Sequence, residues 1–194
     1  WVPRVVIPRE GSAAIEIRAE AVSPYANGSC VATQGGTVVY ASAVWKGREA
    51  PEAFGGFVPL TVEFRHKAAA SGRIPGNVRR REAARPSEAE ILASRAVDRA
   101  LRPRFTLKGY FDYVVVTATV EATDDVHDPI ALATNAASAA VALSAAPWSG
   151  PVGCARVGVG RRSLFSARDD DDDENDASGR KELAFRVDPT LEVP

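Results

Sequence analysis

Arginine is the side chain whose type and spacing in this sequence point most clearly to chemistry. Between residues 73 and 104 there are nine arginines, no lysine and four acids (Glu82, Glu88, Glu90 and Asp98), a local net charge of +5. Arg79, Arg80 and Arg81 are consecutive. Arg95, Arg99 and Arg102 recur at i, i+4 and i+7, so a helix there puts them on one face. A guanidinium offers a planar fork of N–H donors that matches phosphate, and successive backbone phosphates need neighbouring forks. The cluster fits the electrostatic footprint of a nucleic-acid binder, and it fits equally the solvated surface of an arginine-rich protein. Single-strand binders usually add aromatic stacking platforms. Residues 67–86 contain none, since Val78 and Arg79 stand at the centre, and Phe105, Tyr110, Phe111 and Tyr113 come later and can pack internally.

Other reactive residues form weaker patterns. His66 and His127 stand alone, without ligand spacing to Cys, Asp or each other. Asp124, Asp125 and Asp128 crowd one loop, where a divalent ion, helix capping and plain solvation are all open readings. Cys30 and Cys154 have no metal or redox spacing, and a reducing compartment is the default. Neither a phosphate-binding G-x-x-x-x-G-K-[ST] loop nor a G-x-S-x-G elbow occurs. The residues therefore give no catalytic group and no metal site.

The chain has 194 residues, of which 45% are hydrophobic and 25% charged, which suits one globular domain and excludes wholesale disorder, collagen and a disulfide scaffold. No apolar run reaches the length of a membrane helix. Residues 169–176, DDDDDEND, carry seven acids; without them the net charge of −1 becomes +6. That run reads as a solvated surface loop, an insertion spanning 166–180. The chain starts at Trp1 and has no Met, so it is expected to be an incomplete translation product.

Strand signals come first. AAIEIRAE alternates at Ile15 and Ile17, and SCVAT and TVVYASAVW flank Gln34-Gly35-Gly36, a hairpin turn. VPLTVEFRH alternates Val58, Leu60, Val62 and Phe64. Residues 67–86 read as a long exposed loop. Ser87 and Glu90 form an S-x-x-E capping box for a helix that buries Ala93, Val97, Ala100 and Leu101 and stops at Pro103. YVVVTATVE is a strand; Asp128 and Pro129 then open an Ala/Ser-rich helix expected to run through Ala146. CARVGVG and LAFRVDP read as strands around the acidic run. This order predicts an α+β (mixed α/β) fold, with helices against a mixed sheet.

FVPLTVEFRHKAAASGRIPGNVRRRE, RPSEAEILASRAVDRALRPRF and HDPIALATNAASAAVALSAAPWSGPVGCARVG together resemble the first core of the polynucleotide phosphorylases, and ANGSCVATQGGTVVYASAV is similar to that core's opening hairpin. The resemblance covers about residues 15–160 and returns weakly at AFRVDPTLE. It implies that 1–194 is one RNase PH-like core of the ribosomal S5 domain 2-like fold, incomplete at its C-terminal end. It implies 3′-to-5′ phosphorolysis of single-stranded RNA to nucleoside diphosphates, with 3′ tailing as the reverse, by a homotrimer without a membrane span. Mg2+ and phosphate belong to the second core of the full-length enzyme, and this segment is expected to bind neither and to be inactive alone. By position, Arg80 and Arg81 match the family's basic pair at the channel mouth, where Asn77, Val78 and Arg79 replace its usual aromatic residues. Arg95 and Arg99 match arginines lining the substrate region, with Arg102 following on the same face. The Ser-rich phosphate turn of the second core is replaced by DDVHDPIALA, as in a non-phosphorolytic first core. AAASGRIPGN, GYF and PWSGPVG are similar to mitochondrial members; bacterial cytoplasm and plastid are the alternatives. A second reading is a diverged stand-alone core that binds RNA or acts as a scaffold in an RNA–protein assembly.

Overall fold

A computed structural model describes residues 3–9, 12–20, 23–49, 57–76, 85–106, 110–158 and 181–184. Arg79, Arg80, Arg81 and the acidic insertion at 166–180 lie outside the described residues. The strands are β1 (Arg4–Ile7), β2 (Ile15–Arg18), β3 (Gly28–Gln34), β4 (Thr37–Gly47), β5 (Leu60–His66), β6 (Phe111–Ala122), β7 (Ala155–Gly158) and β8 (Lys181–Ala184). The helices are α1 (Glu88–Leu101) and α2 (Pro129–Leu143).

Six strands form one sheet in the order β1-β2-β3-β4-β6-β5; β5 and β6 run parallel and every other pair is antiparallel. A second, two-stranded sheet pairs β7 with β8. The fold is α+β with a mixed sheet, as expected. β5 leads to α1 and β6 leads to α2, so both helices begin beside the carboxyl ends of the two parallel strands.

The pleat sorts the side chains of the large sheet. One face carries Cys30, Ala32, Val39, Ala41, Ala43, Phe64, Val116, Ala118 and Val120, all buried under the helices. The helices complete this core with Ala93, Val97 and Leu101 from α1 and Leu132, Ala133, Ala136, Ala137, Ala140 and Val141 from α2. Small residues let α2 lie very close to β3. The Cys30 thiol donates to the Ala136 carbonyl at 3.1 Å, and its burial pushes the thiol pKa up to about 12. The backbone of Gly28 nearly touches the last turn of α2.

Both helices are capped as the sequence indicates. Ser87 accepts from Glu90 N–H, and Asp128 accepts from Ile130 and Ala131 N–H with Pro129 following. α2 ends at Leu143 rather than Ala146: Ser144 Oγ donates to the Val141 carbonyl, and Ala145 takes a left-handed φ of 54°. Two indoles then serve the helix ends. Trp45 Nε1 donates to Ser144 O at 2.9 Å and Trp148 Nε1 to Leu101 O at 3.3 Å. Phe105 and Phe111 join these tryptophans in a chain of ring contacts with centroids 5.5–6.2 Å apart.

Candidate nucleic-acid interface

α1 is the element that positions the arginines, and a polar stripe fixes it in place. Glu90, Ser94, Asp98 and Arg102 recur every four residues and run along β5, the edge strand. Glu90 Oε1 accepts the His66 N–H at 2.8 Å, and Ser94 Oγ accepts the Phe64 N–H at 2.9 Å. Arg102 donates from Nη1 to Val58 O at 2.8 Å and from Nη2 to Leu60 O at 3.0 Å, while Nε and Nη2 reach the Asp98 carboxylate at 3.0 and 2.7 Å. The helix thus satisfies backbone groups that an edge strand would otherwise leave open. Arg102 shares a helix face with Arg95 and Arg99, but its fork is turned into the fold.

Arg95 and Arg99 project into solvent from that helix. Arg99 lines a shallow cleft of about 150 Å³ together with Arg104. Among the described residues, Arg65, Arg73, Arg85, Arg95, Arg99 and Arg104 have no carboxylate within ion-pair distance. Away from α1, and again among the described residues, Arg4, Arg18, Arg48 and Arg156 are each held by an acid, and Arg9 is not. Among the described arginines, unpaired forks are therefore concentrated on α1, next to its two ends and at the end of β5. Arg65 is the member that sequence pattern does not single out, because it alternates with Phe64 in an ordinary strand.

The histidines and aspartates serve the fold. His66 Nε2 contacts Ser71 Oγ at 3.2 Å. Asp124 Oδ2 contacts His127 Nδ1 at 2.6 Å and accepts the Gly36 N–H at 2.9 Å; Oδ1 accepts the Thr37 hydroxyl at 2.8 Å and the Val126 and His127 N–H groups. The His127 N–H, helped by its ring, Thr37 and Gly36, holds the Asp124 carboxyl far below the usual carboxylate range. This network ties the β3–β4 turn, where Gly35 has a φ of 58°, to the loop before α2. Asp128 caps α2 and pairs with Arg156 at 3.2 Å. With their oxygens facing N–H and O–H donors, Asp124 and Asp128 do not fit a divalent ion, and the described residues hold no group of three or more His, Cys, Asp or Glu that does.

What the arrangement offers is a set of cationic forks on a rigid helix and the described part of the chain leading into it, suited to a polyanion. Residues 13–147 match the family described as 3′ exoribonuclease family, domain 1. The chain is 45% identical over 148 residues to a polyribonucleotide nucleotidyltransferase of Rhodopseudomonas palustris, covering 76% of this chain and 20% of that protein. It is 47% identical over 137 residues to that of Caulobacter vibrioides, covering 71% and 19%. The chain thus spans about a fifth of the length of these relatives. Rice Rrp46 shares the fold, with a TM-score of 0.56 at 17% identity over 80% of this chain and 64% of that one. On the family match over most of its length, this chain belongs to the 3′ exoribonuclease family as an RNase PH domain 1.

Proposed function

We propose that this chain is the non-phosphorolytic first core of a 3′-to-5′ phosphorolytic exoribonuclease of the polynucleotide phosphorylase type, supplying the electrostatic grip on single-stranded RNA. The observation that carries this reading is the concentration of unpaired arginines on and before α1, beside bacterial nucleotidyltransferase relatives at 45–47% identity. Arg95 and Arg99, joined by Arg79, Arg80 and Arg81, meet backbone phosphates, and Arg102 holds the helix that presents two of them. In the reaction, inorganic phosphate attacks the terminal phosphodiester and a nucleoside diphosphate leaves; Mg2+ and the phosphate site belong to a second core. Assembly is a homotrimer. The sheet face opposite the helices, with Val38, Tyr40, Val44 and Val115 half-buried and the Tyr40 hydroxyl without a partner, is the surface that favours contact with another core. The segments AAASGRIPGN, GYF and PWSGPVG favour a mitochondrial location.

The test uses 5′-labelled RNA, phosphate and Mg2+. The complete native polypeptide is expected to release nucleoside diphosphates, and this chain alone is expected to retain RNA without shortening it. Diphosphate release by this chain alone would contradict the assignment of catalysis to a second core. RNA retention without phosphorolysis by the complete polypeptide would instead favour an RNA-binding scaffold.

A further inference from the structure

The C-terminal end of α1 and the loop that follows α2 enclose the cleft of about 150 Å³ that Arg99 and Arg104 line. Its other walls are aliphatic or bare backbone: Ala96 and Ala100 of α1, Pro103 of the turn after it, and Val152 and Gly153 of the loop. Both sides are fixed by hydrogen bonds. The Arg104 carbonyl accepts the Ser149 N–H at 2.8 Å, and the Trp148 indole donates to the Leu101 carbonyl, so the loop is fastened to the end of α1. α2 holds the same loop from behind. Ser138 Oγ accepts the Val152 N–H at 2.8 Å, and Asn135 exchanges hydrogen bonds with the Cys154 backbone at 2.7 and 2.9 Å. The cleft is therefore formed before any ligand arrives, which lowers the ordering cost of binding there.

Among the described residues, the Arg99 and Arg104 guanidinium groups have no ion-pair or hydrogen-bond partner. The nearest acid along α1, Asp98, is committed to Arg102 at 2.7 Å. The cleft thus combines two free cations with an apolar floor. A phosphate alone would use the charges and gain nothing from the floor. A nucleotide uses both, because its flat base packs on carbon and against the face of a guanidinium, while the in-plane N–H groups stay directed to the flanking phosphates. A volume of about 150 Å³ takes one aromatic ring system. We propose that this cleft seats a single unstacked nucleobase of bound RNA, with Arg99 and Arg104 stacking on it and meeting the phosphates on either side. It would supply the stacking for which residues 67–86 hold no aromatic side chain. The proposal rests on the RNA-binding reading above.

Stacking and charge are separated by comparing two strands and two double variants. Binding of the full chain is measured across a salt series to a fluorescent oligoadenylate, and to the same ribose-phosphate backbone with hydrogen in place of every base, alongside thermal melting. The wild type is expected to prefer the base-bearing strand roughly threefold to tenfold, with equal log–log salt slopes for the two strands. Arg99→Lys/Arg104→Lys keeps both charges and loses both planar faces. It is expected to lose most of that preference and to keep the wild-type slope and melting temperature. Arg99→Ala/Arg104→Ala is expected to lose the preference and to flatten the slope by about 1.4, two phosphates at about 0.7 each. Equal affinity of the wild type for the two strands would overturn the base seat and leave the RNA reading standing on phosphate contacts. An undiminished preference in the folded lysine variant would overturn it too, because the base would then be held elsewhere. Wild-type affinity and slope in the alanine variant would leave the cleft to another occupant, such as an acidic protein segment, and overturn the proposal. Failure of the wild type to bind either strand would remove the RNA reading itself, and the seat with it.

Discussion

Arg102 commits four of its N–H donors to hydrogen bonds inside the fold, two to the Asp98 carboxylate and two to the carbonyls of Val58 and Leu60. Removing that guanidinium strands the Asp98 carboxylate and the Leu60 carbonyl of the edge strand, both partly buried, while the Val58 carbonyl keeps the Leu60 N–H at 2.8 Å; such losses cost more than an ordinary surface change. Arg102→Ala is expected to destabilise the chain by about 2 kcal/mol in denaturant melts. Arg102→Lys should recover only part of this, because an ammonium lacks the planar fork. RNA affinity per folded molecule should stay at the wild-type value. A variant with wild-type stability and lost RNA affinity would return Arg102 to the phosphate-contacting set. Half of this network is legible in the sequence, since Asp98 and Arg102 stand four apart with the acid toward the N-terminus. The other half is not, because Val58 and Leu60 are more than 40 residues away and meet Arg102 only through the packing of α1 on β5. Glu90 divides the same way: its bonds to Ser87 are written in the capping box, and its bond to His66 is tertiary.

At the scale of elements, the close approach of β3 to α2 is the contact least tolerant of change. A Cβ at Gly28 would run into the Ala140 carbonyl and lie 2.5 Å from Ser144 N, both backbone atoms that cannot swing aside. Gly28→Ala is therefore expected to cost about 3 kcal/mol, a strain penalty comparable to the larger overpacking losses. Retention of the wild-type melting temperature would show that α2 can slide along the sheet. The Ala/Ser content of α2 announces this proximity in the sequence, as do its Asp128–Pro129 start and the capping box of α1. β1 is not announced: its residues are all exposed, and Pro3 and Pro8 bracket it, so it shows neither alternation nor a buried face. The overrun of α2 to Ala146 has a similar origin. Alanines continue past Leu143, and the helix stops because Ala145 turns left-handed just after Trp45 takes the Ser144 carbonyl.

At the scale of the whole molecule, charge and fold are separable contributions. The sheet, its helices and their core account for a folded domain without any of the unpaired arginines, which sit on its outside. The α+β order of elements is legible from periodicity and caps. The parallel pairing of β5 with β6 is not, because it depends on where two chain segments far apart in sequence come to lie. The distinction between arginines that hold the fold and arginines left free is likewise a property of the assembled molecule. A nucleic-acid grip built from free forks must be salt-dependent in proportion to the phosphates it meets. The most direct test of the account is the salt dependence of single-stranded RNA binding, comparing the wild-type chain with Arg79→Ala/Arg80→Ala/Arg81→Ala. The account predicts that the log–log slope falls by about 2 units in the triple variant, at about 0.7 per phosphate lost, with the melting temperature unchanged. An unchanged slope would contradict it, because the arginine-rich segment would then contact no RNA.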